Sequence, residues 1–189
     1  MSVTAWINPK SLGENNRGRI IDKASGVAPT QGWGFFVTDG GTAGQRKLSF
    51  VIDYASTDFN RTTANALFNF NEWTHVAVTW DGSLNASNAR IYLNGQETTY
   101  SKTQNASGSR VSDAAESLKI GNDKSFARTF DGMIDDVRIF NRALTPKEIQ
   151  QIAAMPTSLS PLRKELTASI ITSLERIVKI MQKILGQVQ

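Results

Sequence analysis

Two adjacent carboxylates, Asp135 and Asp136, are the side chains of this sequence whose type and spacing most directly suggest chemistry. Such a pair can act as a general acid and base, hold a metal ion, or form the polar half of a strand. The surrounding apolar residues predict a strand, and adjacent residues of a strand point to opposite faces. We therefore expect that the two carboxylates cannot flank one substrate bond, which excludes them as a catalytic dyad.

Histidine chemistry depends on a single residue, His75. It lies in an apolar segment, where a strand would place it on the same face as Ala77 and Thr79, and this position favours a structural, hydrogen-bonded role. The sequence contains no Gly-x-Ser-x-Gly nucleophile elbow and no phosphate-binding Gly-x-x-x-x-Gly-Lys string. No catalytic residue is predicted from the sequence.

Short apolar runs separated by Gly, Asn, Asp and Ser clusters fill residues 2–140, which predicts an all-β protein built as an antiparallel β-sandwich. The eight predicted strands span residues 3–8, 18–24, 33–39, 47–54, 74–81, 89–95, 117–122 and 132–140. In the fourth strand Leu48, Phe50, Ile52 and Tyr54 alternate with Ser49, Val51 and Asp53. The first set predicts a core face, and the second set predicts the opposite face.

Two short motifs predict a turn and the end of the sandwich. Asn94 and Gly95 favour a tight turn with positive φ. The segment from Thr145 to Glu148 is a Thr-x-x-Glu capping box with proline at the first helical position, so a helix should begin there. Its apolar residues should pack on the sandwich; they are Leu144, Ile149 and Ile152.

The chain changes character after the sandwich domain, which we assign to residues 1–155. Residues 156–161 are rich in Pro and Ser and are interpreted as a linker. Residues 162–188 predict a coiled-coil-like, amphipathic α-helix, because apolar residues recur at steps of four and three. Its seam consists of Ile170, Leu174, Ile177, Met181, Ile184 and Val188. The apolar stripe can dock on the sandwich, join helices in a homo-oligomer, or lie on a membrane surface.

Composition excludes several classes of protein. Cysteine is absent, so disulfides and cysteine metal sites are excluded. The net charge of +4 falls mainly on residues 156–189, with five Lys/Arg and two Asp/Glu, whereas residues 1–155 carry sixteen and fifteen. The nearly neutral main domain argues against a nucleic-acid partner. No apolar run of about 18 residues occurs, so no membrane span is predicted, and the first residues lack the layout of a signal peptide.

Three motifs follow one another along the chain. They are Trp73-x-His75-Val-Ala through Trp80-Asp81-Gly82, then Ile91-Tyr92-x-Asn94-Gly95, then Phe130-x-Gly132-x-Ile134-Asp135-Asp136-Val137-Arg138-Ile139 through Arg142-Ala143-Leu144. Together they resemble the LamG-like jelly-roll domains of the concanavalin A-like lectin/glucanase superfamily. The resemblance covers about residues 2–152 and implies a jelly-roll sandwich; it does not extend to the C-terminal amphipathic helix.

The resemblance implies a structural calcium ion as the one candidate cofactor. In calcium-stabilised glucanases of the superfamily, the aspartate of a similar last strand helps to hold Ca²⁺, which implies Asp135 as a metal ligand. Ca²⁺ takes six to eight oxygen ligands, and further ligands would have to come from elsewhere. The alternative is that Asp135 or Asp136 pairs with Arg138 or Arg142, or accepts hydrogen bonds from loop amides.

The resemblance also has consequences for catalysis and for the sheet edge. Glucanase chemistry on this fold needs two carboxylates on one face, in a string such as Glu-x-Asp-x-x-Glu, and no glutamate of this sequence lies in one. Family members usually have one more strand before the equivalent of residues 3–8. An unpaired edge beside the strand at 132–140 is therefore expected.

The same fold hosts lectins, adhesins, glucanases and spacers, so the function is inferred from the absence of a catalytic motif: a non-catalytic carbohydrate-binding or adhesion module, oligomerised or anchored by its C-terminal helix. The resemblance implies an extracellular or cell-surface protein. Aromatic, amide and carboxylate side chains near strand ends are candidate ligand contacts. We select Trp33, Asp39, Asp58, Asn60 and Asn105; further aromatics near strand ends are Tyr54, Phe59, Tyr100 and Phe126. One alternative is a hydrolase of a polysaccharide or other polymer, which would need two titratable groups with displaced pKa values in a cleft on the concave sheet. Another is a structural spacer that binds only its own oligomer.

Overall fold

The computed structural model describes residues 1–26, 30–65, 68–155, 172–173 and 175–177. The chain divides into two compact units, Met1–Ala154 and Met155–Gln189. The predicted linker and most of the predicted C-terminal helix lie outside the described residues, although residues 172–173 and 175–177 are helical. No helix in the described part of the chain is long and apolar enough to cross a membrane.

The described residues of the first unit form eleven strands, a short α-helix and two single 3-10 turns. The strands are β1 (Ser2–Pro9), β2 (Arg19–Ala24), β3 (Gly32–Thr38), β4 (Lys47–Ile52), β5 (Phe59–Thr63), β6 (Thr74–Thr79), β7 (Arg90–Leu93), β8 (Gln96–Glu97), β9 (Tyr100–Gln104), β10 (Lys119–Ile120) and β11 (Gly132–Phe140), and the helix is α1 (Pro146–Ala154). One antiparallel sheet has the order β11-β1-β6-β7-β8, and the other has the order β10-β2-β3-β4-β5-β9. The predicted all-β antiparallel sandwich is confirmed.

The main core lies between the two sheets. Strand alternation sends one face of each central strand inward, and β4 follows the prediction, because Leu48, Phe50, Ile52 and Tyr54 are at most 8% exposed. Phe50, Phe59 and Trp80 form the aromatic centre of this core, with ring centroids 6.0 to 6.5 Å apart. Burial of these aliphatic and aromatic side chains is the main stabilising contribution to the sandwich.

The two local motifs form as predicted. Asn94 (φ 47°) and Gly95 (φ 81°) make the tight turn between β7 and β8. At the start of α1 the Thr145 backbone amide donates to Glu148 Oε2 at 2.8 Å, and the Glu148 amide donates to Thr145 Oγ1 at 3.3 Å. This reciprocal pair is the capping box, which satisfies two amides that the first helical turn leaves free.

Helix α1 packs on the outer face of the five-stranded sheet. Its buried residues Ile149 and Ile152 form a second apolar cluster with Leu144, and with Ala77 and Tyr92 of β6 and β7. Ala77 points outward because its neighbours Val76 and Val78 point into the main core. The predicted attachment of this helix to the sandwich is confirmed.

Three strands were missed by the sequence analysis: β5, β8 and β9. In β5 only Phe59 is apolar, and the next inward positions hold Arg61 and Thr63, which are 8% and 1% exposed. The guanidinium of Arg61 lies 3.3 Å from the ring centroid of Tyr100 in β9 and donates to Thr103. In β5 a cation, buried by stacking and hydrogen bonding, occupies a position where a hydrophobic pattern would have an apolar residue. The strands that were missed therefore show no hydrophobic alternation in the sequence.

Strand β11 lies at the end of its sheet and, among the described residues, pairs only with β1. Its nine residues contain a β-bulge between the partners of Thr4 and Trp6, where Asp136 has a φ of 49°. Ile139 is 48% exposed along this strand. The predicted unpaired edge is present in the described part of the chain, and its bulge hinders the addition of another strand.

Candidate functional site

The outer face of the six-stranded sheet is polar and forms a groove of about 910 Å³. Strand register brings its floor residues together in two rows. One row contains Arg19, Phe36, Ser49, Thr62 and Lys102, and the other contains Asp22, Gly34, Val51 and Asn60. We call this surface the polar groove; Arg17, Asp53, Asp58 and Arg128 also line it. Each row takes one residue from successive strands, so the site is assembled by antiparallel pairing.

A buried ion pair lies in the floor of the polar groove. Arg19 Nε is 3.0 Å from Asp22 Oδ2, and the two side chains are 6% and 1% exposed. The guanidinium stacks over the ring of Phe36 at 4.1 Å. Burial is the main cause that lowers the pKa of Arg19 to about 10 and raises the pKa of Asp22 to about 6, and attraction between the two partly offsets both shifts.

The ion pair is close but poorly aligned for hydrogen bonding. Arg19 Nε and Nη1 and Asp22 Oδ2 have no hydrogen-bond partner among the described residues, whereas Asp22 Oδ1 accepts from the Ala24 amide at 3.1 Å. Gly34 leaves the room that this pair occupies, because a Cβ there would lie 2.8 Å from Asp22 Oδ2. Buried donors and acceptors without partners carry an energetic cost.

A second carboxylate of the polar groove, Asp53, directly follows β4 and is 3% exposed. Burial, reinforced by the negative charges of Asp58 and Asp22, raises the pKa of Asp53 to about 7. Asp58 itself is fixed, because its Oδ1 accepts from the Tyr54 amide at 3.0 Å. At neutral pH the Asp53 carboxyl is about half protonated, so it can donate as well as accept a hydrogen bond.

Positive charge dominates the polar groove. Its basic residues are Arg17, Arg19, Lys47, Lys102 and Arg128, and its acidic residues are Asp22, Asp53 and Asp58. Arg128 is 8% exposed, and burial followed by the charge of Arg17 lowers its pKa. Asp123, fully buried behind the groove, has its Oδ2 3.8 Å from Arg128 Nε. The excess of cations favours an anionic ligand on this face.

The ligand residues predicted from the sequence are only partly brought together. Trp33, Asp58 and Asn60 line the polar groove, whereas Asp39 and Asn105 are not among its lining residues. Asp39 accepts hydrogen bonds from Asn16 and from the Gly41 amide, and Asn105 Oδ1 accepts from the Ala86 amide at 2.9 Å. The side-chain oxygens of both residues therefore take part in hydrogen bonds that connect loops of the sandwich.

Trp33 lines the polar groove, but most of its ring is buried, so its role as a ligand contact stays a prediction. Trp33 is 5% exposed and belongs to the main core, where its ring lies 6.4 Å from that of Phe50. Alternation explains this position, because Trp33 and Phe35 share the inward face of β3. The sequence analysis missed Arg19 and Asp22. Their signal in the sequence was that two charged residues lie in an apolar strand, and if such a strand is central in its sheet, both charges must be buried.

The two carboxylates of β11 do not follow simple alternation, because the bulge separates them. Ile134 and Val137 both pack against the main core, which a regular strand would not allow at that spacing. Both oxygens of Asp136 accept from Arg138 at 2.8 Å, and Asp135 Oδ1 accepts from the Asp136 amide at 2.8 Å. The expectation that Asp135 and Asp136 point to opposite faces of a regular strand is therefore wrong at the bulge. The expected alternative, pairing with Arg138, is observed for Asp136, and Asp135 accepts from a backbone amide.

The contacts of Asp135 give little support for a calcium site. The neighbouring carboxylate is held by the Arg138 guanidinium, and within the described ranges no group of three or more His, Asp or Glu residues is placed to hold a metal ion. Ca²⁺ needs several oxygen ligands in one place. Calcium at Asp135 stays a prediction, which thermal unfolding with Ca²⁺ and with a chelator tests.

His75 is structural, but the predicted hydrogen bonding of its ring is not observed. The residue is 1% exposed, its ring packs edge-on against Trp6 with centroids 5.5 Å apart, and neither ring nitrogen has a hydrogen-bond partner in the described part of the chain. Burial lowers the pKa of His75 to about 4, partly opposed by the charge of Asp136. The imidazole is therefore neutral at physiological pH.

The fold and the polar groove define a β-sandwich of the concanavalin A-like type. Residues 1–150 match the Laminin_G_3 family of the concanavalin A-like lectin/glucanases superfamily, and the chain belongs to this family. A search among curated proteins finds no significant match.

Several solved structures share the fold at low sequence identity. The CBM40 domain of the Ruminococcus gnavus IT-sialidase has a TM-score of 0.60 and 12% identity, with 82% of each chain covered. The same domain bound to α2,6 sialyllactose has a TM-score of 0.56 and 10% identity, covering 81% of this chain and 82% of that one. The NanB sialidase of Streptococcus pneumoniae has a TM-score of 0.56 and 16% identity, covering 83% of this chain and 24% of that one.

Proposed function

We propose that this protein is a carbohydrate-binding module whose glycan lies in the polar groove. The observation that carries the proposal is the groove itself, whose floor combines the buried Arg19–Asp22 pair, stacked on Phe36, with neutral polar side chains. Sugar hydroxyls are both donors and acceptors, so they can pair with the polar side chains that line this floor. Ser49, Asn60 and Thr62 add polar groups to the same floor.

We further propose that the glycan is acidic. Five basic and three acidic side chains line the polar groove, and Asp53 and Asp22 lose part of their negative charge near neutral pH because their pKa values are about 7 and about 6. A sugar carboxylate would accept charge-assisted hydrogen bonds from the arginines. The similarity in fold to a domain bound to α2,6 sialyllactose supports this choice of ligand class.

The proposal predicts that exposed basic residues of the groove contribute to binding. The double variant Arg17→Ala with Lys102→Ala removes two exposed cations that line the groove, and it should weaken binding to an acidic glycan by about tenfold or more while the fold is kept. A glycan array followed by calorimetric titration of the best acidic glycan measures the effect.

A charge-matched control separates groove contacts from net charge. Arg90→Ala with Lys147→Ala also removes two exposed cations, from β7 and α1. We expect its affinity to equal that of the wild type. Equal weakening in both double variants, or a wild-type protein that binds no glycan, would contradict a glycan site in the polar groove.

One observation favours a second candidate function, hydrolysis of a polysaccharide. Asp22 and Asp53 line one groove and both have displaced pKa values, which is the feature that an acid–base site in a cleft requires. Release of reducing ends from an acidic polysaccharide, lost in Asp53→Asn, would favour the hydrolase. Binding of the polysaccharide without release of reducing ends would favour the binding module.

The remaining proposals concern the setting of the module. We propose that it works outside the cell or on its surface, as the family resemblance implies, and that residues 162–188 gather several copies so that weak sites act together. The heptad pattern of the sequence supports the second point. Light scattering with and without residues 160–189 tests it. A defined oligomer without any glycan ligand would favour a structural spacer instead.

A further inference from the structure

The loop between β10 and β11 is held by side-chain hydrogen bonds to its own backbone. Asn122 Oδ1 accepts from the amides of Asp123 and Arg128 at 2.9 and 3.2 Å, and Asp123 Oδ1 accepts from the Ala127 amide at 3.0 Å. Asp123 is fully buried. The loop therefore holds its tip in one conformation.

Phe126 lies at the tip of this loop in two unfavourable states at once. Its φ is 54°, in the left-handed region that costs free energy for a bulky residue, and 68% of its surface is exposed. The other aromatics near strand ends are buried or covered: Trp33, Tyr54 and Phe59 are at most 8% exposed, and Arg61 covers the ring of Tyr100. Packing of the fold gives no reason for phenylalanine at this position.

Strand register places Lys119, the neighbour of the Phe126 ring, on the side of the sheet that forms the polar groove. Lys119 of β10 pairs with Asp22, so its side chain shares the face of the groove floor. The Lys119 ammonium lies 5.7 Å from the centroid of the Phe126 ring. Two residues further along the chain, Arg128 lines the groove itself. Phe126 and Lys119 do not line the groove themselves, so the Phe126 ring lies just outside its lining, beside the edge strand and two residues from Arg128.

We propose that Phe126 and Lys119 form a second subsite for an oligosaccharide whose acidic sugar occupies the groove floor. The exposed ring offers a flat apolar surface for the apolar face of the neighbouring pyranose, and the ammonium can donate to its hydroxyl or carboxylate oxygens. This inference rests on the proposed function and adds to it that the ligand has at least two sugar rings. The fixed loop lowers the entropic cost of the contact.

The substitution Phe126→Asn tests the platform without damaging the fold. Asparagine tolerates positive φ better than phenylalanine, so the melting temperature should stay the same or rise. The probes are immobilised α2,6 sialyllactose and galacturonic acid oligomers, each with its terminal acidic monosaccharide. We expect Phe126→Asn to weaken binding of the oligosaccharide by about fivefold and to leave binding of the monosaccharide unchanged. Phe126→Tyr should keep the oligosaccharide affinity.

Leu118→Asn provides the matched control, because Leu118 is 40% exposed next to the same edge strand. We expect no change of affinity in this variant. Unchanged oligosaccharide binding by Phe126→Asn, or an equal loss for monosaccharide and oligosaccharide, would overturn the subsite while the proposed function stands. If the wild-type protein binds none of these probes and no glycan on the array, the proposed function and the subsite both fail.

Discussion

Replacing Arg19 with alanine should lower the free energy of unfolding by about 3 kcal/mol and abolish binding of an acidic glycan. The side chain is 5% exposed, and its removal leaves Asp22, 1% exposed, without its cation in the floor of the groove. An uncompensated buried carboxylate must be protonated or hydrated in the folded state, and either change costs free energy. Urea denaturation at pH 7.5 measures the loss.

Two variants test whether burial of the Arg19–Asp22 pair causes the loss of stability in Arg19→Ala. Arg90→Ala breaks an ion pair with Glu97 whose side chains are 52% and 34% exposed, and it should cost less than about 1 kcal/mol. Removing both buried charges, with Arg19→Met and Asp22→Leu, should recover most of the stability but none of the binding. If Arg19→Ala cost no more than Arg90→Ala, the pair would not be electrostatically buried as described.

The second large effect is an opposing pH dependence at two buried groups. His75 has a pKa of about 4 in the folded state, below its ordinary value of 6.5. The unfolded state binds more protons between these values, so His75 contributes stability that is present above about pH 6.5 and is lost as the pH falls towards 4. The full contribution is about 3 kcal/mol.

Asp53 acts in the opposite direction. Its pKa is raised from 3.8 to about 7 in the folded state, so the folded protein binds the proton more tightly than the unfolded chain does. Its contribution to stability is present below about pH 4 and is lost as the pH rises to 7. Asp22, with a pKa of about 6, behaves in the same way. In the wild type these contributions offset that of His75 across the same range.

Denaturant unfolding at pH 4.5 and pH 7.5 separates the two contributions. The ring-conserving variant His75→Phe should lose stability relative to wild type on going from pH 4.5 to 7.5, by about 2 kcal/mol, because the gain from deprotonating the imidazole is absent. Asp53→Asn should gain stability relative to wild type by a similar amount between pH 4.5 and 7.5, because the cost of ionising the buried carboxyl is absent. Parallel pH profiles for all three proteins would contradict both shifted pKa values.

Local sequence determined those features whose causes are local. Alternation in β4 fixed which side chains enter the core, because the two faces of a strand follow from its period of two. The capping box at Thr145 and Glu148 and the turn at Asn94 formed as predicted, since their hydrogen bonds and dihedral angles involve neighbours in sequence. The three motifs identified the fold through their resemblance to the superfamily.

Local reasoning failed where a distant partner changes the role of a residue. Arg61 occupies an inward position of β5 because it stacks on Tyr100, and no apolar pattern signals such a strand. Asp136 leaves the regular strand because its carboxylate pairs with Arg138 in a bulge opposite β1. In both cases a contact made by the side chain outweighs the propensity of the segment.

The polar groove was decided by tertiary structure alone. The sequence determined that Ser49 alternates with core residues of β4, and therefore that it belongs to the opposite, polar face. It did not determine which strands lie side by side, because strand order and register depend on how the two apolar faces close over a common core. That closure placed Arg19 and Asp22 in one buried pair in the floor of the groove and placed the Lys119 ammonium beside the Phe126 ring.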